Sequence, residues 1–127
     1  MTLAILPGSE QPIYQQIYDC VSAAVLRGEL AAGEALPPIR TVASELCVSV
    51  IGVKRAWEEL ERDGFITTAV GRGSFAAELS AEERSEKRRA LLRKRLAPGA
   101  AYAAALGAEA EELAALMREL LDGSCSG

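Results

Sequence analysis

The chain of 127 residues contains no histidine. That removes the usual general base and the commonest metal ligand. Its three cysteines, Cys20, Cys47 and Cys125, stand far apart. An odd, widely spaced set is neither a disulfide framework nor a zinc cluster. Cys20 and Cys47 fall at or beside apolar helix faces and are expected as core thiols. Cys125 lies in a Gly/Ser tail and is expected at the surface. No apolar run approaches the length of a bilayer span. The opening MTLAILPGSEQP has neither the basic region nor the apolar core of a secretion signal, so a cytoplasmic location is expected. There is no nucleophile motif, no phosphate-binding glycine loop before a helix and no carboxylate pair placed for catalysis, so the chain does not read as an enzyme. No cofactor or metal is expected.

Positive charge is also scarce. The formal net charge is −4, an awkward balance for any chain that must meet phosphates. Splitting the chain does not relieve it: residues 1–78 hold six Lys/Arg against ten Asp/Glu, and residues 79–127 hold eight of each. Any basic face must therefore be local.

What is present is a stretch from Leu36 to Phe75 around which the rest is arranged. Ile39, Val42, Ala43 and Leu46 recur at the spacing of one helix face. Cys47-Val48-Ser49 breaks the run, and Val53, Ala56, Trp57 and Leu60 then share a second face. Two short amphipathic helices across so tight a break predict a helix-turn-helix. Asp63-Gly64 stops the second helix. Phe65-Ile66-Thr67-Thr68 and Ser74-Phe75-Ala76 are β-prone and flank a Gly71-Arg72-Gly73 tip, which predicts a hairpin. The expected fold is mainly α with a small β-hairpin: a winged helix-turn-helix over residues 1–78, then a helical tail over residues 79–127.

Upstream, residues 1–11 read as a flexible arm broken by Pro7-Gly8-Ser9. Pro12 suits the first turn of a helix lined by Ile13, Ile17, Cys20, Val21 and Ala24 and closed by Gly28. Glu29 to Pro38 is expected as a loop. Ser49 stands where an N-cap would, and its hydroxyl with the free amides behind it can cap the helix, face a phosphate, or do both. Trp57 lies on the apolar face and is expected in the core rather than as a stacking platform.

Several motifs follow one another in a familiar order: Pro12-Ile13-Tyr14, Gly28-Glu29-Leu30 with Gly33, Leu36-Pro37-Pro38-Ile39-Arg40, Ala56-Trp57-Glu58-Glu59-Leu60-Glu61, Gly64-Phe65-Ile66 and Gly71-Arg72-Gly73-Ser74-Phe75. Over about Gln11 to Ala77 the chain resembles the N-terminal DNA-binding domain of the GntR transcription regulators. The resemblance implies a sequence-specific transcription regulator, a repressor, acting on a double-stranded DNA operator. It makes Arg40 a DNA contact, to a guanine edge or a phosphate, where the residue alone would equally read as a solvated arginine. Arg72, between two glycines, can enter a minor groove or be an incidental charge on a hairpin. The DNA-facing candidates are Arg40, Thr41, Ser49, Val50, Ile51, Gly52, Lys54, Arg55, Gly71, Arg72 and Gly73. One departure stands out: the second helix opens Val50-Ile51-Gly52, where the family often carries Asn or Thr. Ile51 can touch a thymine methyl but cannot donate a hydrogen bond.

After Glu78 the composition changes. Ser80 with Glu83 is a capping box, and a helix is expected through the basic run Arg84, Lys87, Arg88, Arg89, Arg93, Lys94 and Arg95, whose charges spread around the helix as a solvated surface. Pro98-Gly99 is expected to kink or break it, and Gly107 to end its Ala-rich continuation. A last helix over about Ala108 to Leu121 should carry an apolar stripe, with Asp122 to Gly127 frayed. The tail resembles that of the YtrA-type branch of the family, which implies a dimer. Leu113, Leu116, Met117 and Leu120, with Leu92, Leu96, Tyr102 and Leu106 as counterpart, are the expected interface of a homodimer on an inverted-repeat operator. A small-molecule effector has no signature in the sequence. The competing reading is a winged helix used for protein–protein contact, with the negative charge as its motive.

Overall fold

The computed structural model describes residues 11–125, with side chains to Gly123. The arm expected over residues 1–11 lies, apart from Gln11, outside the described residues. The elements run α1 (Ile13–Leu26), α2 (Ile39–Leu46), α3 (Val50–Arg62), β1 (Ile66–Ala69), β2 (Gly73–Ala76), α4 (Ala81–Ala105) and α5 (Ala110–Cys125). Internal contacts divide the chain into a unit ending at Arg84 and another beginning at Ser85.

In the first unit α3 is the central element, packed against α1, α2 and β1. Its apolar face, Val53, Ala56, Trp57 and Leu60, is buried along its whole length. Ile17, Val21, Ala24 and Val25 meet it from α1, and Val42 and Ala43 belong to the same core. α1 closes where Gly28 takes φ +77° and its N–H bonds to the Val25 carbonyl, while the Glu29 N–H bonds to that of Ala24. A left-handed residue at this position is the common helix stop, and glycine takes it without a Cβ penalty. β1 and β2 pair antiparallel from Ile66↔Ala76 to Ala69↔Gly73, forming the wing.

The loop expected over Glu29 to Pro38 is present, but it is not free of sheet pairing. Part of it pairs with β2: the Ala76 N–H donates to the Glu34 carbonyl (2.8 Å), Gly33 N–H to that of Ala76 (2.8 Å) and Leu36 N–H to that of Ser74 (2.9 Å). Ala35 bridges Phe75. The wing hairpin is thus anchored on its far edge, with Leu36 buried. Cys47 is also not a core thiol. It is exposed and closes α2 in the left-handed region, φ 57°, so its side chain leaves the apolar face that the 3.6-residue period would have given it. Cys20 is half-buried.

Tyr18 ties the N-terminal helix to the end of α3. Its ring meets Phe65 edge-on at 6.0 Å and its hydroxyl donates to Asp63 Oδ2. Asp63 is also held by Arg62 at 3.1 Å. Burial, then the hydrogen bond to the Asp63 carboxylate, pushes the Tyr18 pKa above its ordinary 10.0. A raised folded-state pKa stabilises the fold in full below the unfolded value, and that contribution is lost as pH rises through the folded one. Tyr18→Phe is therefore expected to cost about 1–3 kcal/mol at neutral pH and to flatten the loss of stability on the alkaline side. Urea unfolding of both chains across that range checks it. An equally steep alkaline loss in the variant would place the titration elsewhere.

The tail begins as expected. The Ser80 N–H donates to Glu83 Oε1 (3.0 Å) and the Glu83 N–H to Ser80 Oγ (3.1 Å), a closed capping box. The expected interruption at Pro98-Gly99 is absent as a break, because Pro98 lies inside α4. Pro98 supplies no N–H to the Lys94 carbonyl, but the residues of that turn are exposed and water can take the carbonyl. Alanines on both sides favour the helix. Gly107, φ +82°, ends α4. α5 continues past the expected fray point to Cys125, whose side chain lies outside the described ones. In the second unit Ala103 is the one buried side chain among the described residues.

Candidate nucleic-acid interface

α3 starts at Val50 because Ser49 caps it: the Gly52 N–H donates to Ser49 Oγ at 3.1 Å. A hydroxyl that accepts in this way still has its own O–H to donate, so capping and phosphate contact are compatible. With Val53, Ala56, Trp57 and Leu60 turned inward, the opposite side carries Ile51, Lys54, Arg55 and Glu58, all exposed. Ile51 is 80% exposed, an unusual position for an aliphatic side chain, and Val50 beside it is 37% exposed. Arg40 and Thr41 are exposed in the first turn of α2.

The wing tip is a tight turn. The Arg72 N–H bonds back to the Ala69 carbonyl (2.9 Å), with Gly71 at φ +79° and Gly73 at φ +103°. The third turn position needs positive φ, which glycine provides. Arg72 projects into solvent between the two glycines. Thr68 Oγ1 reaches Glu61 Oε2 at 3.2 Å, so the base of the wing is fastened to the end of α3.

The cations of residues 11–78 sort by pairing. Arg27 is bound to Glu29 at 3.1 Å and Arg62 to Asp63 at 3.1 Å. Arg40, Lys54, Arg55 and Arg72 form no ion pair among the described residues. Within residues 11–78 the unneutralised positive charge is therefore confined to α2, the outer side of α3 and the wing tip, despite the acidic total. Sequence reading missed one feature here: the Arg55 guanidinium lies over the Tyr14 ring of α1, 3.7 Å from its centroid. No periodicity within either helix signals that contact.

In the tail, Leu92, Leu96, Tyr102, Leu106, Leu116, Met117 and Leu120 are exposed and Leu113 is half-buried. Leu121 is exposed as well. Among the described residues no group of carboxylates and cysteines could hold a metal ion, and no helix is long and apolar enough to cross a membrane.

The bacterial regulatory proteins of the gntR family match this chain over residues 13–75. The HTH-type transcriptional repressor YtrA of Bacillus subtilis (strain 168) is 30% identical over 118 residues, 93% of this chain and 91% of YtrA. A transcriptional antiterminator from Listeria monocytogenes EGD-e has a similar structure, with a TM-score of 0.75 and 33% identity over 94% of this chain and 90% of that one. YtrA from Sulfolobus acidocaldarius, a GntR-family transcription factor, gives a TM-score of 0.58 and 32% identity over 75% of this chain and 97% of its own. The chain belongs to the gntR family of bacterial regulatory proteins. It is a DNA-binding transcription regulator with a winged helix-turn-helix and a C-terminal helical region.

Proposed function

We propose that the chain acts in the cytoplasm, on the nucleoid, as a homodimeric repressor of an inverted-repeat operator. Residues 1–78 form the DNA-binding module and residues 79–127 the dimerisation tail. The carrying observation is the set of unpaired cations, Arg40, Lys54, Arg55 and Arg72, on the very elements that a winged helix presents to DNA. α3 enters the major groove from its Ser49-Val50-Ile51-Gly52 end, and Ile51 meets thymine methyl groups there. Arg40 and Thr41 address a base edge or a phosphate at the entry of α2. The Gly71-Arg72-Gly73 tip lies in the adjacent minor groove, where narrow A·T tracts concentrate negative potential. Two such modules related by a dyad require inverted half-sites.

The acidic total favours a second reading, a winged helix that docks on protein. Salt separates the two, because contacts from Lys and Arg to phosphates weaken steeply as salt rises. The decisive variants are single arginines, measured on an operator selected from random duplexes and on scrambled DNA at two salt concentrations. Arg40→Ala is expected to cost about 1–3 kcal/mol and to relax preference at one position per half-site. Arg72→Ala should weaken binding and reduce preference for A·T flanks. The double variant Arg88→Ala/Arg89→Ala should bind almost as the parent does. A larger loss in that double variant than in Arg40→Ala would move the DNA face to the tail.

A further inference from the structure

Among the four unpaired cations of residues 11–78, Arg55 alone has its guanidinium set against an aromatic ring. The centre of the group lies 3.7 Å from the Tyr14 centroid, which is van der Waals contact over the ring face. Such a placement uses the face of the guanidinium and leaves its in-plane N–H donors unspent. Those donors have no acceptor among the described residues, although Glu58 and Glu59 are one turn away on the same helix. The ring comes from α1, and the register of the two helices places this contact toward one end. Tyr14 meets Arg55, while Tyr18, one turn later, meets Asp63 just past the end of α3. Tyr14 and Arg55 thus lie toward the N-terminal end of the α1–α3 pair, the end from which α3 is read as entering the groove.

We propose that Tyr14 is a positioning residue for DNA: its ring holds Arg55 as a pre-set clamp whose in-plane donors take a backbone phosphate flanking the major groove. This rests on the DNA-facing reading of α3 given above. An exposed arginine ordinarily loses rotamer freedom when it grips a phosphate. Here the tyrosine has already ordered it, and the ring does not compete for the edge that binds. Phosphate contacts of this kind fix register without reading sequence, so the pair should set affinity and salt dependence while base preference stays with α2, the start of α3 and the wing.

The test uses the full chain, the operator selected by the parent protein, and anisotropy titrations over a salt series. Arg55→Ala should weaken binding and reduce the slope of log affinity against log salt by about 1, the signature of one lost phosphate. Tyr14→Phe, which keeps a ring face, should bind within about twofold of the parent. Tyr14→Leu, which keeps bulk but no π face, should weaken binding by about threefold to tenfold. In the Arg55→Ala background the same Tyr14→Leu change should cost nothing further, because the two residues act as one unit. A Tyr14→Leu loss that recurs in full without Arg55 would make the tyrosine merely structural and overturn the proposal. So would an Arg55→Ala chain with the parent's salt slope, and Arg55 is exposed, so that variant keeps the fold whatever Tyr14→Leu does. A parent chain that binds no duplex at all would overturn the DNA reading itself, which is a different outcome.

Discussion

A chain ending at Glu78 is expected to sediment as a monomer and to lose about two to four orders of magnitude of operator affinity. The first unit buries its own apolar surface, whereas in the second Ala103 is the one buried side chain among the described residues. Isolated helices with an uncovered apolar stripe are marginal in water, and small units bury too little surface to stand alone. A second copy would cover Leu92, Leu96, Tyr102, Leu106, Leu116, Met117 and Leu120, all at least 39% exposed. Dimerisation then makes binding to the second half-site an intramolecular event, and the lost effective concentration accounts for the size of the effect. Leu116→Glu with Leu120→Glu in the full chain should reproduce the monomer without removing a residue. If the shortened chain is still a dimer at micromolar concentration, the interface lies in the first unit and the tail has another role.

Replacing Phe65 by Ala should destabilise the first unit by about 3–5 kcal/mol, a large fraction of the stability of an ordinary domain. Phe65 is 2% exposed and follows the Gly64 stop of α3. Its N–H bonds to the Leu60 carbonyl (2.9 Å), its carbonyl accepts from the Ala77 N–H (3.0 Å), and its ring meets Tyr18 edge-on. Removing the ring opens a cavity where α1, the end of α3 and the base of the wing converge. Denaturant unfolding followed by the single tryptophan, Trp57, reads the change directly. A loss below about 1 kcal/mol would mean the site collapses around the gap. Phe65→Leu should fall between the two chains.

Much of the scaffold was legible in the residues because the signals were local. The inward faces of α1, α2 and α3 follow from 3.6-residue periodicity. Ser49 and the Ser80–Glu83 box act within one turn, and Gly28 and Gly107 stop helices by their own backbone freedom. The wing hairpin could be read from two β-prone runs about a glycine tip. The DNA-facing set rests partly on that pattern and partly on family resemblance, and Arg40, Lys54, Arg55 and Arg72 are exposed in the structure.

The rest depended on residues distant in the chain. The edge at Glu34 to Leu36 exists because β2, some forty residues later, offers it a partner. Cys47 leaves the core because α2 must turn sharply to place α3, and a left-handed residue makes that turn. Pro98 is tolerated because its turn faces water, a condition set by what does not pack there. Tyr14 under Arg55 and Tyr18 on Asp63 are contacts between helices, decided by how α1 crosses α3. Periodicity determined which face of each helix turns inward. Arg27 and Arg62 find Glu29 and Asp63 within two residues along the chain, whereas the seat of Arg55 on Tyr14 was decided only when α1 was placed against α3, because such contacts depend on distances in space.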